Sequence, residues 1–121
     1  MLENWCRCAI AWNLMLDPRG KPNLGPFTCG GLVTLRDDGS LSKSGQCHAL
    51  RHFSQHLQRD GRRIASTSNA PGLRHLAVRN PDGGFALVMT NPGEGRDLRI
   101  VYAGQQLCFS LPRNAVATLA W

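Results

Sequence analysis

The second half of the chain alternates apolar and polar residues in short runs. Leu98, Ile100 and Tyr102 recur at every second position, a period typical of half-buried strands. The run Phe85–Thr90 is more uniformly apolar, as expected of a central strand. Turn residues separate six such runs at Asn69–Gly72, Asn80–Gly83, Asn91–Gly93, Ala103–Gly104 and Pro112–Asn114. The pattern predicts a mainly β fold, with an antiparallel β-sandwich from about Arg59 to Trp121.

The first half follows a different pattern. Ala9–Leu16 is almost wholly apolar, as in a parallel strand covered on both faces, and Leu2–Cys8 before it is interpreted as the last turns of a helix. Asp17-Pro18 ends the strand, because proline cannot continue the hydrogen-bond ladder. A loop rich in proline and glycine then runs to Gly30, and a loop of this length usually frames a site.

A hairpin and a helix follow this loop. Leu32–Leu35 and Leu41–Lys43 flank the turn Asp37–Ser40, and Gln46–Gln58 carries apolar residues at helical spacing. The order of strand, long loop, hairpin and helix suits the closing β/α unit of a (β/α)8 barrel, in which the loop after the strand faces the substrate. We therefore expect a barrel remnant in residues 1–58 and a sandwich domain in residues 59–121.

Composition and charge exclude several classes of protein. The chain has 121 residues, of which 42% are hydrophobic, so it can form a packed core. The net charge of +6 permits nucleic-acid binding, but the densest basic run, Arg59–Arg63, contains Asp60 and favours a solvated face. We expect no nucleic-acid partner, since no recognised motif or interleaved exposed aromatics occur. No apolar run is long enough to span a membrane, and the N-terminus lacks the pattern of a secretion signal.

Cysteine and histidine patterns give little support for a metal or a cofactor. His48, His52 and His56 share a face of the predicted helix, but no third type of ligand lies near them in the sequence. The five cysteines are irregularly spaced, so we expect no disulfide framework. Four of them are predicted to be buried, inert thiols rather than zinc ligands: Cys6, Cys8, Cys29 and Cys47.

The chain also lacks a catalytic constellation of its own. It contains no nucleophile elbow and no phosphate-binding glycine loop. Glycoside hydrolysis needs two carboxylates, and the only glutamates are Glu3, on the leading helix, and Glu94, in a turn of the sandwich. Trp12 suits the C–H face of a sugar ring if it ends an inner barrel strand, and it suits a core position beneath the last helix equally well.

Several segments resemble glycoside hydrolase family 30, which includes glucosylceramidases and bacterial and fungal β-1,6-glucanases. Trp12–Pro18, followed by Gly20 and Pro22-Asn23, is similar to the WNLALDPxGGPN segment of that family. Further segments continue the resemblance in order along the chain: Asn23–Thr34, Ala49–Ser54, Arg62–Thr67, Asn80–Gly83, Leu87–Asn91 and Ala115–Trp121.

The resemblance implies a retaining β-glycosidase with a (β/α)8 barrel and a side β-sandwich. Trp12 would match the family tryptophan that lines the sugar subsite nearest the cleaved bond, and Asn23 and Phe27 would lie in a loop at the mouth of the cleft. The two catalytic glutamates lie on earlier barrel strands, which have no counterpart here. Members are often secreted or lysosomal, but this sequence indicates no compartment of its own.

We therefore expect the C-terminal fragment of a glucosylceramidase-like or β-glucanase-like enzyme. Alone it would be inactive, since it lacks the two catalytic glutamates. It would supply scaffold and one wall of a cleft for a β-linked glucan or glucoside. An alternative is a stand-alone sandwich module that supports a partner domain or binds polysaccharide. Since the sandwich aromatics Phe85, Tyr102, Phe109 and Trp121 fit inward or edge positions, we expect a scaffold rather than a sugar platform. The barrel strand, without its neighbours, is expected to self-associate or remain poorly ordered.

Overall fold

The computed structural model describes residues 2–25 and 27–121. It divides the chain into two compact units, Met1–Arg51 and His52–Trp121. The elements, in chain order, are a 3-10 helix (Leu2–Asn4), β1 (Met15–Leu16), β2 (Val33–Leu35), β3 (Leu41–Lys43), α1 (Gly45–Ser54), β4 (Arg62–Ile64), β5 (Arg74–Arg79), β6 (Phe85–Asn91), β7 (Arg96–Tyr102), β8 (Gln105–Leu111) and β9 (Ala115–Ala120). None of the helices among these residues is long and apolar enough to cross a membrane.

The first unit contains a small mixed sheet in the order β1-β2-β3. β1 runs parallel to β2, and β2 pairs with β3 as the antiparallel hairpin that the sequence predicts. Gly39 in its turn has φ +81°, a conformation that residues with a side chain rarely adopt. Hydrogen bonds from the hydroxyl and the amide of Ser40 lower the pKa of Asp38, so its carboxylate stays ionised and holds the turn.

The predicted strand Ala9–Leu16 is wrong over most of its length. Only β1 is a strand, although the carbonyls of Asn13 and Leu14 accept bonds of 3.0 Å from the amides of Leu32 and Val33. The preceding apolar side chains are exposed, Ile10 by 92% and Trp12 by 82%. Within the described residues β1 pairs only with β2, and that pairing covers Met15 and Leu16 alone, so the residues before Met15 have no strand ladder to hold them extended. The predicted helix over Leu2–Cys8 is likewise reduced to a 3-10 turn.

The helix α1 begins where the sequence predicts and ends four residues earlier. The hydroxyl of Ser44 accepts a bond of 3.2 Å from the amide of Cys47, which caps the first turn. Beyond the helix, the side chain of Asn80 donates to the carbonyl of His56 at 2.8 Å and accepts from the amide of Gln58 at 3.1 Å. The amide of Gln58 would bond to the carbonyl of Ser54 if the helix continued, so its bond to Asn80 replaces that helical bond and the predicted extension to Gln58 does not form.

The second unit confirms the six predicted strands and the antiparallel sandwich. One sheet has the order β4-β5-β6-β9 and the other is the hairpin β7-β8, with every pairing antiparallel. The core between the two sheets contains Ala77, Leu87, Met89, Leu98 and Leu111. Burying a leucine or methionine side chain is worth about 1.5–3 kcal/mol, so these few residues hold the two sheets together.

The central strands β5 and β6 are buried on both faces. Residues that alternate with the core, including Val78, Ala86 and Val88, are also buried. Part of this second face meets the segment after α1, since a Cβ on Gly61 would lie 3.0 Å from a methyl carbon of Val78. The ring of His52 lies 3.0 Å from the hydroxyl of Thr118 on β9. This burial explains the uniformly apolar run Phe85–Thr90.

Asn91, at the end of β6, is a fully buried polar residue with 0% exposure. Its amide nitrogen donates to the carbonyls of Glu94 at 2.8 Å and Pro112 at 2.9 Å, and its oxygen accepts from the amide of Gly93 at 3.3 Å. One side chain therefore joins the β6–β7 turn to the β8–β9 turn, at the end of the sandwich where the strands reverse.

Replacing Asn91 by alanine is expected to lower the free energy of unfolding of the second unit by about 1–3 kcal/mol, because two partly buried hydrogen bonds to main-chain carbonyls are lost. Chemical denaturation followed by circular dichroism measures the change. As a control, Asn69→Ala in an exposed turn should change it by less than about 0.5 kcal/mol. Equal effects of the two substitutions would contradict the structural role of Asn91.

Candidate functional site

The loop after β1 is an ordered structure built around Asp17 and Gly20. The carboxylate of Asp17 accepts bonds from the amides of Arg19 at 2.9 Å and Lys21 at 2.7 Å. Gly20 has φ +78°, and a Cβ there would lie 2.8 Å from the carbonyl oxygen of Cys29. Because the two ends of the loop touch at this glycine, the segment between them is held in a defined position.

Asn23 organises the tip of the loop. Its amide nitrogen donates to the carbonyl of Phe27 at 2.6 Å, and its side-chain oxygen accepts from the amide of Gly25 at 3.4 Å. The ammonium of Lys21 donates to the Asn23 carbonyl at 3.2 Å. Pro26, within this loop, lies outside the described residues. The Asn23 amide that the sequence assigns to substrate binding thus makes hydrogen bonds inside the loop, where it fixes the position of Phe27.

Phe27 and Trp12 both present aromatic rings to solvent. The Phe27 ring lies over Gly25, where an added Cβ would be 2.8 Å from its Cζ atom, and its side chain is 66% exposed. Trp12 lies on the segment that leads into β1 and is more exposed still. These two exposed rings lie on either side of β1 in the sequence, and Trp5 is a third exposed ring of the first unit. Exposed aromatic rings of this kind can pack against the C–H faces of sugars.

The two glutamates lie in different units. Glu3 belongs to the N-terminal 3-10 helix, and Glu94 lies in the turn between β6 and β7. The Glu94 carboxylate is 3.6 Å from the guanidinium of Arg113, and both side chains are largely exposed. A surface ion pair of this kind contributes little to stability and does not prepare a carboxylate for acid–base chemistry.

The histidine and cysteine patterns give no ligand cluster in the described part of the chain. No group of three His, Cys, Asp or Glu side chains there could hold a metal ion. The predicted burial of Cys6, Cys8, Cys29 and Cys47 is wrong: Cys8 is exposed and the other three are partly exposed. The thiol of Cys6 donates to the carbonyl of Cys8 at 2.8 Å, a local bond within an exposed segment.

Three aromatic side chains form a surface patch that the sequence reasoning missed. Phe85 begins β6, Tyr102 ends β7, and Trp121 follows β9. Their ring centroids are 4.9 Å (Phe85–Tyr102), 5.7 Å (Phe85–Trp121) and 5.6 Å (Tyr102–Trp121) apart. Tyr102 is 41% exposed and Trp121 50% exposed. Both fit the predicted edge placement, since among the described residues β7 pairs only with β8 and β9 only with β6, but their clustering with Phe85 was not predicted. All three residues lie at strand ends next to turn residues in the sequence, and that shared position could have indicated that their rings form an exposed cluster.

Comparison with known proteins identifies relatives of both units. Residues 60–119 match the model of the glycosyl hydrolase family 30 beta sandwich domain. SrfJ from Salmonella typhimurium is 26% identical over 91% of this chain and 25% of its own, with a TM-score of 0.85. The endo-beta1,6-glucanase BT3312 is 26% identical over 99% of this chain and 28% of its own, with a TM-score of 0.89.

A more distant structure shares the fold alone. The catalytic domain of xylanase C from Talaromyces cellulolyticus is 20% identical over 74% of this chain and 27% of its own, with a TM-score of 0.64. No curated protein sequence matches the chain. The chain thus spans 25–28% of the length of these three solved structures.

Replacing Asn23 by aspartate is expected to release the Phe27 ring from Gly25, because a carboxylate cannot donate to the Phe27 carbonyl and repels it. The ring current of Phe27 is expected to shift the Gly25 α-proton resonances upfield in the native chain, and this shift should shrink markedly in Asn23→Asp. Proton NMR measures it. Thr28→Ala, at an exposed neighbour of Phe27, is the control and should leave the shift intact. An unchanged shift in Asn23→Asp would show that Asn23 does not position the ring.

Proposed function

Because residues 60–119 are a glycosyl hydrolase family 30 β-sandwich domain, as the sequence resemblance predicted, we propose that the chain is the C-terminal part of a retaining β-glycosidase. The observation that carries this proposal is the extent of the structural match. The similarity to the glucanase BT3312 covers 99% of this chain, which includes the first unit as well as the sandwich. An isolated sandwich module would account for the second unit only.

In this proposal residues 1–58 are the last β/α unit of a (β/α)8 barrel, and residues 59–121 are the sandwich. The strand β1, the long ordered loop and the helix α1 follow one another in the order that such a unit requires. The parallel pairing of β1 with β2 and the exposed apolar side chains of Ile10, Trp12 and Leu14 support the reading. Side chains of this kind are expected where neighbouring barrel strands would otherwise cover them.

Trp12, Asn23 and Phe27 would then form one wall of the sugar cleft. Trp12 and Phe27 offer exposed rings for the C–H faces of the substrate. Asn23 supports the wall by fixing the backbone of Phe27, as its bond of 2.6 Å to the Phe27 carbonyl indicates. These three residues position a sugar and carry no acid, base or nucleophile.

The chain alone is proposed to be inactive. A retaining glycosidase needs one carboxyl group as acid and base and a second, about 5–5.5 Å away, as nucleophile. The only glutamates of this chain, Glu3 and Glu94, belong to different units, and Glu94 is paired with Arg113 at the surface. The catalytic pair would come from the part of the enzyme that the relatives possess and this chain lacks.

The proposed substrate is a β-linked glucan. One relative that aligns with nearly the whole chain is by name an endo-beta1,6-glucanase, which favours a glucan over the sphingolipid glucoside that the family resemblance also allowed.

The exposed apolar side chains before β1 would cause copies of the isolated chain to associate, because they would bury that surface against one another.

Activity measurements on the purified chain test this proposal. We expect no hydrolysis of an aryl β-glucoside or of a β-1,6-glucan above the buffer rate. Glu3→Gln and Glu94→Gln are matched controls, because any rate that belongs to this chain must depend on its carboxylates. An enzyme-like rate that copurifies with the chain and disappears in either variant would overturn the proposal. A trace rate that both variants retain and that separates from the chain on further purification would identify a contaminant.

A further inference from the structure

The aromatic patch of Phe85, Tyr102 and Trp121 is held rigidly by backbone bonds. The amide of Phe85 donates to the carbonyl of Trp121 at 2.7 Å, and the amide of Trp121 donates back to the carbonyl of Phe85 at 3.1 Å. Tyr102 immediately precedes the turn Ala103-Gly104, whose φ angles of +49° and +78° are those of a tight hairpin turn. The three rings therefore lie at strand ends whose backbone is already fixed. Binding of a ligand would cost little conformational entropy of these side chains.

Groups of opposite charge flank the patch. The guanidinium carbon of Arg79 lies 5.9 Å from the centroid of the Phe85 ring. The carboxylate of Asp82 accepts a bond of 2.9 Å from the amide of Gly84, the residue that precedes Phe85. A Cβ on Gly84 would also lie 3.4 Å from the carbonyl of Trp121, so both groups lie beside Gly84. The Gly84 amide, and then the Gln58 side chain, lower the pKa of Asp82. At neutral pH the edge of the patch therefore has one cationic hydrogen-bond donor, Arg79, and one anionic acceptor, Asp82.

We propose that this patch binds a short segment of a neutral polysaccharide, with a pyranose ring packed on Trp121 and Tyr102 and its hydroxyls bonded to Arg79 and Asp82. Partly exposed rings suit the C–H face of a sugar, and a rim of both charges can bond hydroxyls as donor and as acceptor. The choice of a β-1,6-linked glucan as the ligand rests on the proposed function. The proposal that the patch is a sugar site rests only on its own aromatic and charged residues.

The same features argue against other occupants. A nucleic-acid strand requires a basic groove along its phosphates, and the Asp82 carboxylate would repel them. A stable protein partner buries about 800 Å² on each side, whereas three rings provide a much smaller contact. The patch also lies in the sandwich unit, whereas the proposed cleft wall of Trp12, Asn23 and Phe27 belongs to the first unit. A sugar held here would bind independently of the catalytic chemistry.

Isothermal titration of the chain with a β-1,6-linked glucotetraose tests the proposal. We expect binding that weakens about tenfold or more in Trp121→Ala and in Tyr102→Ala, because each substitution removes a stacking ring. Trp121→Phe keeps a ring and should retain most of the affinity, and Trp5→Ala is the control for loss of an exposed tryptophan outside the patch. Circular dichroism of each variant confirms that it is folded.

Four results would overturn the proposal. The first is the absence of binding, and the second is equal affinity in folded Trp121→Ala and native chain. The third is preferential, salt-sensitive binding of an oligonucleotide that Trp121→Ala abolishes. Loss of sugar binding in Trp12→Ala alone would also overturn it, but that result would support the proposed cleft wall. Failure of this inference is therefore distinguishable from failure of the proposed function.

Discussion

Burial of both faces of β5 and β6 is the constraint on which the second unit depends. One face packs against Leu98 and Leu111 of the two-stranded sheet, and the other contributes Val78 and Val88 to a second buried layer. A slip of one residue in such a strand would move every side chain to the opposite face, where the neighbouring side chains have different shapes, so close packing fixes the register. The turns at the strand ends, and the buried Asn91 that joins two of them, are fixed by that register.

The first unit shows what happens where this constraint is missing. Its apolar segment before β1 has a composition suited to burial on both faces, yet Ile10, Trp12 and Leu14 are exposed. The loop that follows is nevertheless well defined, because Asp17 and Gly20 fold it through local bonds and one close backbone contact. Local order in the loop and exposed apolar surface beside it are both consistent with one wall of a larger cleft.

The parts that the sequence predicts well are those in which local pattern decides the structure. Alternating apolar residues in β7 and β8 predict a hairpin and the face that it buries. Turn residues such as Asn80–Gly83, between β5 and β6, mark where a strand reverses, and neither signal depends on distant residues. The misplaced end of α1 depends on Asn80, which lies 22 residues from Gln58 and accepts the amide that a longer helix would use. The clustering of Tyr102 with Phe85 and Trp121 was missed because alternation indicates which face a residue occupies, but not which residues of other strands lie next to it.

Amide hydrogen exchange on the isolated chain tests the central claim most directly. If the sandwich is a complete unit and residues 1–58 are a piece of a barrel, amides of β5 and β6 should exchange slowly, while those from Ala9 to Leu14 exchange close to the rate of an unfolded chain. At high concentration, protection of Ala9–Leu14 should rise as the exposed strand associates with other copies. Uniform, slow exchange across Ala9–Leu16 in a monomer would contradict the account.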